Sequence, residues 1–224
     1  MKDIIILGAG GSGWDTVSLI NAINRVNQEW NILGYLDDNL EIVGKTFCGY
    51  PVLDKIDACN NYLNAYYISA ISNPTNRLVR RLIWDRVKRH RIKFATLIHP
   101  SAIIYDDVVI EEGCIVNANC VLGNSAVLRS DVHLAYACNI AHETELKEHV
   151  TLGTGVNLSS GVVIGEDCYI GAGVSSTHDV LVEADTLVSV GAAIVSNLEN
   201  NNQKIWIGVP AVTIKEYVRS KLKK

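Results

Sequence analysis

From Ala102 to Asn197 the chain runs through a six-residue unit sixteen times without an insertion. Counting Ala102 as position one, the third positions are Ile104, Ile110, Val116, Leu122, Leu128, Leu134, Ile140, Leu146, Leu152, Leu158, Ile164, Ile170, Ser176, Val182, Val188 and Ile194; only Ser176 is not a branched aliphatic. First positions are small or β-branched, among them Val108, Cys114, Cys120, Ala126, Val132 and Cys138. A strict period of six belongs neither to an amphipathic helix nor to an alternating strand. It is the period of a parallel β-helix, in which each unit is one short strand plus a turn. Three units close one triangular coil, so these 96 residues make a little over five coils. At ~4.8 Å per coil they form a prism roughly 25 Å long. One coil cannot bury its aliphatic wall, whereas stacked coils bury a continuous core. A β-sandwich would need turn signals at irregular spacings of about 8–12 residues, and the segment has none.

Before the repeat, strand and helix patterns alternate. Ile4–Leu7 reads as a buried strand running into Gly8-Ala9-Gly10-Gly11-Ser12-Gly13. A helix is expected from Trp14 to about Asn27, with Val17, Ile20, Ile23 and Val26 on one side. Further strands are expected at Trp30–Leu36, Tyr66–Ile71 and Phe94–Ile98, with a helix starting near Pro74, capped by Ser72 or Asn73. Alternating β and α with buried strands predicts a small parallel, Rossmann-like sheet of about four strands. The domains are thus placed at 1–97 (α/β) and 98–224 (all-β, a parallel β-helix with a C-terminal loop and tail). The Asn-rich stretch 198–204 breaks the six-residue rhythm and reads as a loop, and Ile214–Lys224 as a short terminal helix or tail.

Composition excludes several classes. The formal charge of −4 gives no global basic excess for nucleic acid. Eight Lys/Arg between Arg77 and Lys93 read as a solvated helix face, since no aromatic residues interleave the basic side. The apolar run at the N-terminus is too short for a signal sequence or a membrane span. Cys114, Cys120, Cys138 and Cys168 all occupy the small first position of the unit, as compact hydrophobes. No Cys-x-x-Cys spacing occurs, so no metal site is indicated and a reducing cytoplasm is expected.

Gly8-x-Gly10-x-x-Gly13, after a strand and before a helix, lets backbone N–H groups approach an anion. Four strands are too few for a full dinucleotide fold, so a single nucleotide phosphate is the better expectation. Asp37 and Asp38 end the second strand beside this loop, either as turn residues or as acceptors for a sugar hydroxyl, an amine or a base edge. On the prism, apolar side chains point inward and chemistry falls to the turns. The pair His142-Glu143 stands out, because a carboxylate beside an imidazole raises its basicity and fixes its tautomer. The coil period puts Asn124, Ser160 and His178 in the same corner column as His142. His178 is itself followed by Asp179, and His149 preceded by Glu148; both are weaker candidates. His90 and His99 read as ordinary surface residues.

The glycine loop, Tyr35-Leu36-Asp37-Asp38, Ala70-Ile71-Ser72-Asn73, Leu97-Ile98-His99-Pro100-Ser101-Ala102, the six-residue repeats, His142-Glu143 and Ile207-Gly208-Val209-Pro210-Ala211 occur in that order. Together they resemble the sialic acid O-acetyltransferase and nucleotide-linked amino-sugar N-acetyltransferase family of hexapeptide-repeat acyltransferases. The resemblance implies a left-handed β-helix, a homotrimer, and acetyl-CoA as co-substrate bound between neighbouring prisms. It implies that the N-terminal domain holds a nucleotide-linked sugar through Gly10, Gly11, Ser12, Asp37, Asp38 and Ser72. It further implies His142 as general base with Glu143, and Ala172 and Val190 flanking the CoA arm. Thr151 falls where the family often has a His near the acyl donor; Ser12 and Ala135 also replace frequent family residues. The expected activity is N-acetylation of a nucleotide-linked deoxy-amino sugar by direct transfer. O-acetylation of sialic acid or a related sugar, and a non-catalytic sugar-nucleotide binder, stay open as alternatives.

Overall fold

The computed structural model describes residues 1–199 and 205–222. Backbone contacts divide the chain into two units, Met1–Pro100 and Ser101–Lys224. In the first, β1 (Lys2–Leu7), α1 (Gly11–Val26), β2 (Trp30–Leu36), β3 (Thr46–Phe47), β4 (Tyr50–Asp54), β5 (Tyr66–Ser69), α2 (Leu78–Lys88) and β6 (Lys93–Phe94) follow in order. They build a six-stranded sheet in the order β3-β4-β2-β1-β5-β6. All pairings are parallel except β3 with β4, which are antiparallel. Ile4, Ile5, Ile6 and Leu7 are fully buried at the centre of the sheet, which explains an uninterrupted apolar run rather than an alternating one. Trp84 of α2 stacks on Phe94 of β6 with ring centroids 3.7 Å apart, closing one side of this core.

Three expectations need correction here. The sheet has six strands, not about four, because the short pair β3 and β4 adds to the β2 edge. Helix α1 begins at Gly11 rather than Trp14, so Gly11, Ser12 and Gly13 form its first turn. Helix α2 begins at Leu78, not near Pro74. The Asn73 side chain instead accepts hydrogen bonds from the N–H groups of Thr75 and Asn76, holding a separate turn ahead of the helix.

The second unit is a β-helix of two-residue strands stacked in parallel on three faces. One face stacks Ile115, His133, Thr151, Tyr169 and Leu187 in register. A second stacks Ile103, Val121, Asn139, Asn157, Ser175 and Ala193. A third stacks Val109, Val127, Glu145, Val163 and Leu181. Partners stand eighteen residues apart, so the coil period read from the sequence holds at every step. The inward third positions from Leu122 to Leu158 are at most 3% exposed.

First positions also satisfy buried carbonyls. The thiols of Cys114, Cys120, Cys138 and Cys168 donate to the carbonyls of Arg129, Ala135, Gly153 and Glu183 at 3.1–3.2 Å. Thr144 makes the same bond to Ser159 through its hydroxyl, at 2.9 Å. The corners from Asp107 to Gly191 turn through sixth-position residues with positive φ, among them Asp107, Ser125, Glu143 and Asp179 at 55–58°, a region in which Gly, Asn and Asp are tolerated best. The stretch 200–204 of the expected C-terminal loop lies outside the described residues. The terminal helix is present as α3 (Ile214–Leu222).

Candidate active site

The sequence-predicted residues fall in both units. In the first, Gly8 turns the chain out of β1 with φ +100°, and its N–H donates to the Leu36 carbonyl. A Cβ on Gly13 would collide with the Gly8 carbonyl oxygen, so this third glycine serves close packing of α1 on β1. Gly10 and Gly11 face open space and are exposed. No side chain caps α1, which leaves its first-turn N–H groups directed at the open loop. Asp37 ties the loop to β2: its carboxylate accepts from the N–H of Ala9 at 2.9 Å and of Asn39 at 2.9 Å. Asp38 accepts from the Ile56 N–H at 3.1 Å and from the Arg86 guanidinium at 2.6 Å. Both carboxylates therefore hold local structure, and each keeps further lone pairs for a ligand. Ser72 is exposed in the loop after β5. Sequence reasoning did not single out Trp14, which stands 45% exposed in the first turn of α1 and stacks on Phe47 at 5.8 Å. Its indole N–H donates to the Ala9 carbonyl at 3.0 Å.

In the β-helix, His142 follows the strand Asn139–Ile140 at one corner of the prism. Its Nδ1 lies 3.0 Å from Oε2 of Glu143, and the two side chains are 60% and 72% exposed. With Nδ1–H donating to the carboxylate, Nε2 carries a lone pair open to the surroundings, which is the arrangement of a general base. Glu143 takes the positive-φ corner position, and its N–H donates to the Asn124 carbonyl one coil below at 3.0 Å. The adjacent face carries a groove of about 480 Å3 lined in part by Gly123, Asn139, Ala141, Asn157 and Ser159. Asn139 donates to Asn157 along this groove at 2.7 Å.

Ala172 and Val190 do not share this corner within one chain. They follow the strands Tyr169–Ile170 and Leu187–Val188 of another face, and both are exposed. Thr151 lies on that same face, between His133 and Tyr169 in the stack. Cys138 is fully buried, its thiol committed to the Gly153 carbonyl at 3.2 Å, so it offers His142 no nucleophile.

His149 lies in the turn with Glu148. It is buried, with Nδ1 2.8 Å from the fully buried carboxylate of Asp131, one coil below. His133 Nε2 approaches the other oxygen of Asp131 at 3.3 Å. This carboxylate-centred pair of imidazoles escaped sequence reasoning, although Asp131 and His149 differ by one coil period and the column rule alone would have joined them.

Comparison with known proteins accords with both units. Residues 3–82 match the PglD N-terminal domain model, and residues 90–130 the model of bacterial transferase hexapeptide repeats. No curated protein sequence matches the chain. Among solved structures, the acetyltransferase domain of PglB from Neisseria gonorrhoeae FA1090 is 26% identical with a TM-score of 0.83, over 96% of this chain and 100% of that one. The same domain has been solved in complex with acetyl coenzyme A. PerB from Caulobacter crescentus, in complex with CoA and GDP-perosamine, shares the fold at 23% identity and a TM-score of 0.84, over 95% of this chain and 97% of that one. WeeI from Acinetobacter baumannii AYE shares it at 21% identity and 0.83, over 96% and 100%. The chain thus joins a PglD-type N-terminal domain to bacterial transferase hexapeptide repeats, and these two domains, with the likeness over nearly its whole length, mark it as an acyltransferase.

Proposed function

We propose that this chain transfers the acetyl group of acetyl-CoA to the amino group of a nucleotide-linked deoxy-amino sugar, with His142 as general base. The observation that carries this reading is the exposed imidazole–carboxylate pair at 3.0 Å on a corner of the prism. Glu143 accepts Nδ1–H and so keeps the Nε2 lone pair available. As the amine attacks the thioester carbonyl, Nε2 takes its proton and a tetrahedral oxyanion forms. Collapse breaks the carbon–sulfur bond, leaving an amide, and the imidazolium returns the proton to the departing CoA thiolate. The buried thiol of Cys138 argues against an acyl-enzyme and for direct transfer.

The sugar nucleotide belongs to the first unit. The uncapped first turn of α1 at Gly10, Gly11 and Ser12 suits a phosphate, while Asp37, Asp38 and Ser72 offer acceptors for its polar groups. The complexes of the PglB domain with acetyl-CoA and of PerB with CoA and GDP-perosamine support this pair of substrates.

The functional unit is a homotrimer. His142 lies on one corner, and Ala172 and Val190 on another. A CoA arm flanked by all three needs the second corner from a neighbouring copy, and cyclic closure by a heterologous interface gives equivalent clefts. Thr151, on the same face as Ala172, would then line the donor side.

Thiol release from acetyl-CoA, measured against nucleotide sugars bearing either a free amine or only hydroxyls, tests the reading. Release with the amine sugars alone is expected. Release with hydroxyl sugars alone identifies an O-acetyltransferase, and binding without release a non-catalytic protein. Light scattering that shows a fully active monomer would overturn the shared cleft.

A further inference from the structure

The corner that carries His142 holds a second pair of the same build. His178 Nδ1 lies 2.8 Å from Oδ2 of Asp179, and the two side chains are 71% and 76% exposed. Asp179, like Glu143, occupies the corner position with positive φ, 55° against 58°. The two pairs stand in one column, joined through backbone bonds from the Gly161 N–H to the His142 carbonyl at 3.1 Å and from the Asp179 N–H to the Ser160 carbonyl at 3.0 Å. Between them, the Asp179 carboxylate sits where a Cβ of Gly161 would be, so the glycine makes room for the second pair.

Two coils separate the imidazoles, ~10 Å along the stack. A base must come within hydrogen-bond reach, about 2.6–3.2 Å, of the proton that it removes. One thioester carbon therefore cannot be served by both pairs. The groove on the adjacent face runs past both pairs: it begins at Val121 and Gly123, passes Ala141 next to His142, and reaches Ser175 and Ser176 near His178. Its lining is uncharged and more apolar than polar, with Val121 and Leu158 beside the polar groups of Asn139, Asn157 and Ser159. An extended chain carrying amides suits such a lane. Of the substrates proposed above, the donor has one: the pantetheine arm, whose second amide lies two coil-heights from the sulfur.

We infer that His178, its tautomer held by Asp179, is a positioning residue for the acyl donor: Nε2 accepts a hydrogen bond from an amide N–H or the hydroxyl of the pantetheine arm while the thioester rests at His142. This rests on the acetyl-CoA reading above.

Calorimetry on the full chain tests it with two probes: CoA, and the adenosine bisphosphate end of CoA without the arm. One hydrogen bond lost from a partly exposed site predicts that His178→Ala weakens CoA about 5–10-fold and leaves the armless nucleotide unchanged. His178→Gln, which keeps an acceptor near the Nε2 position, restores most of the affinity. In a 15N-histidine spectrum of the wild type, the His178 Nε2 signal shifts when CoA is added and not when the armless probe is added. Equal affinity of wild type and His178→Ala for CoA, or equal loss for both probes, overturns the inference while leaving His142 catalysis standing. No CoA binding by the wild type overturns the acetyl-CoA reading as well.

Discussion

Gly123 lies directly beneath the backbone of His142: a Cβ on Gly123 would stand 2.8 Å from the His142 nitrogen and 2.9 Å from the Ala141 carbonyl carbon. Both atoms are backbone, so no side chain can swing aside to relieve the contact. Gly123→Ala is therefore expected to lift the turn that carries the proposed base. Overpacking of this kind costs about 1–3 kcal/mol, which leaves the β-helix folded. Lower kcat with an unchanged circular dichroism spectrum is the expected outcome. Unchanged kcat would show that the corner tolerates displacement.

The cysteines give a direct check on the stacking. Cys59, Cys114, Cys120, Cys138 and Cys168 are buried, and Cys48 is exposed. For Cys59, burial pushes the thiol above its ordinary range, with Asp57 adding to the effect. Brief alkylation of the native chain should add one group, at Cys48, and alkylation after denaturation should add six. Mass spectrometry reads both. Early modification of Cys120 or Cys138 would contradict the hydrogen-bonded first positions.

On the third face, Arg129 links Glu111 at 3.1 Å and Glu145 at 2.7 Å across successive coils, and Lys147 joins Glu145 at 2.7 Å. Partial burial pushes the Glu111 carboxyl up, but hydrogen bonds from Ser130 and Arg129 outweigh it and hold the group below its ordinary 4.5. Glu145 is held down in the same way by Lys147 and Arg129 against its burial. Carboxyls with depressed folded pKa values add stability above about pH 4.5, which is lost as pH falls through the folded values. The pairs are partly exposed, so the effect is small. A Glu111→Gln/Glu145→Gln variant should melt roughly 2–4 °C below wild type at neutral pH. The gap should close towards about pH 3, and a gap that widens on acidification would contradict the account.

The β-helix was legible because the inner coils obey one burial rule: Leu128, Leu134, Ile140 and Leu146 recur at the same place and are all buried. Ser176 breaks the rule for a local reason. Its hydroxyl accepts the Ser159 N–H at 3.1 Å and its carbonyl accepts the Ser159 hydroxyl at 2.8 Å, so polar bonds replace an aliphatic contact. The pair β3 and β4 was not legible, since a two-residue strand and a strand bearing Pro51 carry too little pattern. In the candidate site, His142 and Glu143 could be read as neighbours in sequence. The bond from Asp38 to Arg86 could not, because it joins residues 48 apart through the fold of the α/β unit.

Everything proposed for the chemistry passes through the imidazole of His142. Replacing it by Ala removes the proton acceptor and leaves the inward-facing core of the prism untouched. A positioned general base contributes about 10²–10⁴ in rate, so kcat for thiol release from acetyl-CoA with the amino-sugar acceptor should fall by that factor while the chain still binds CoA. Turnover by His142→Ala within about twofold of wild type, well inside the range that a lost base must exceed, would contradict the central claim.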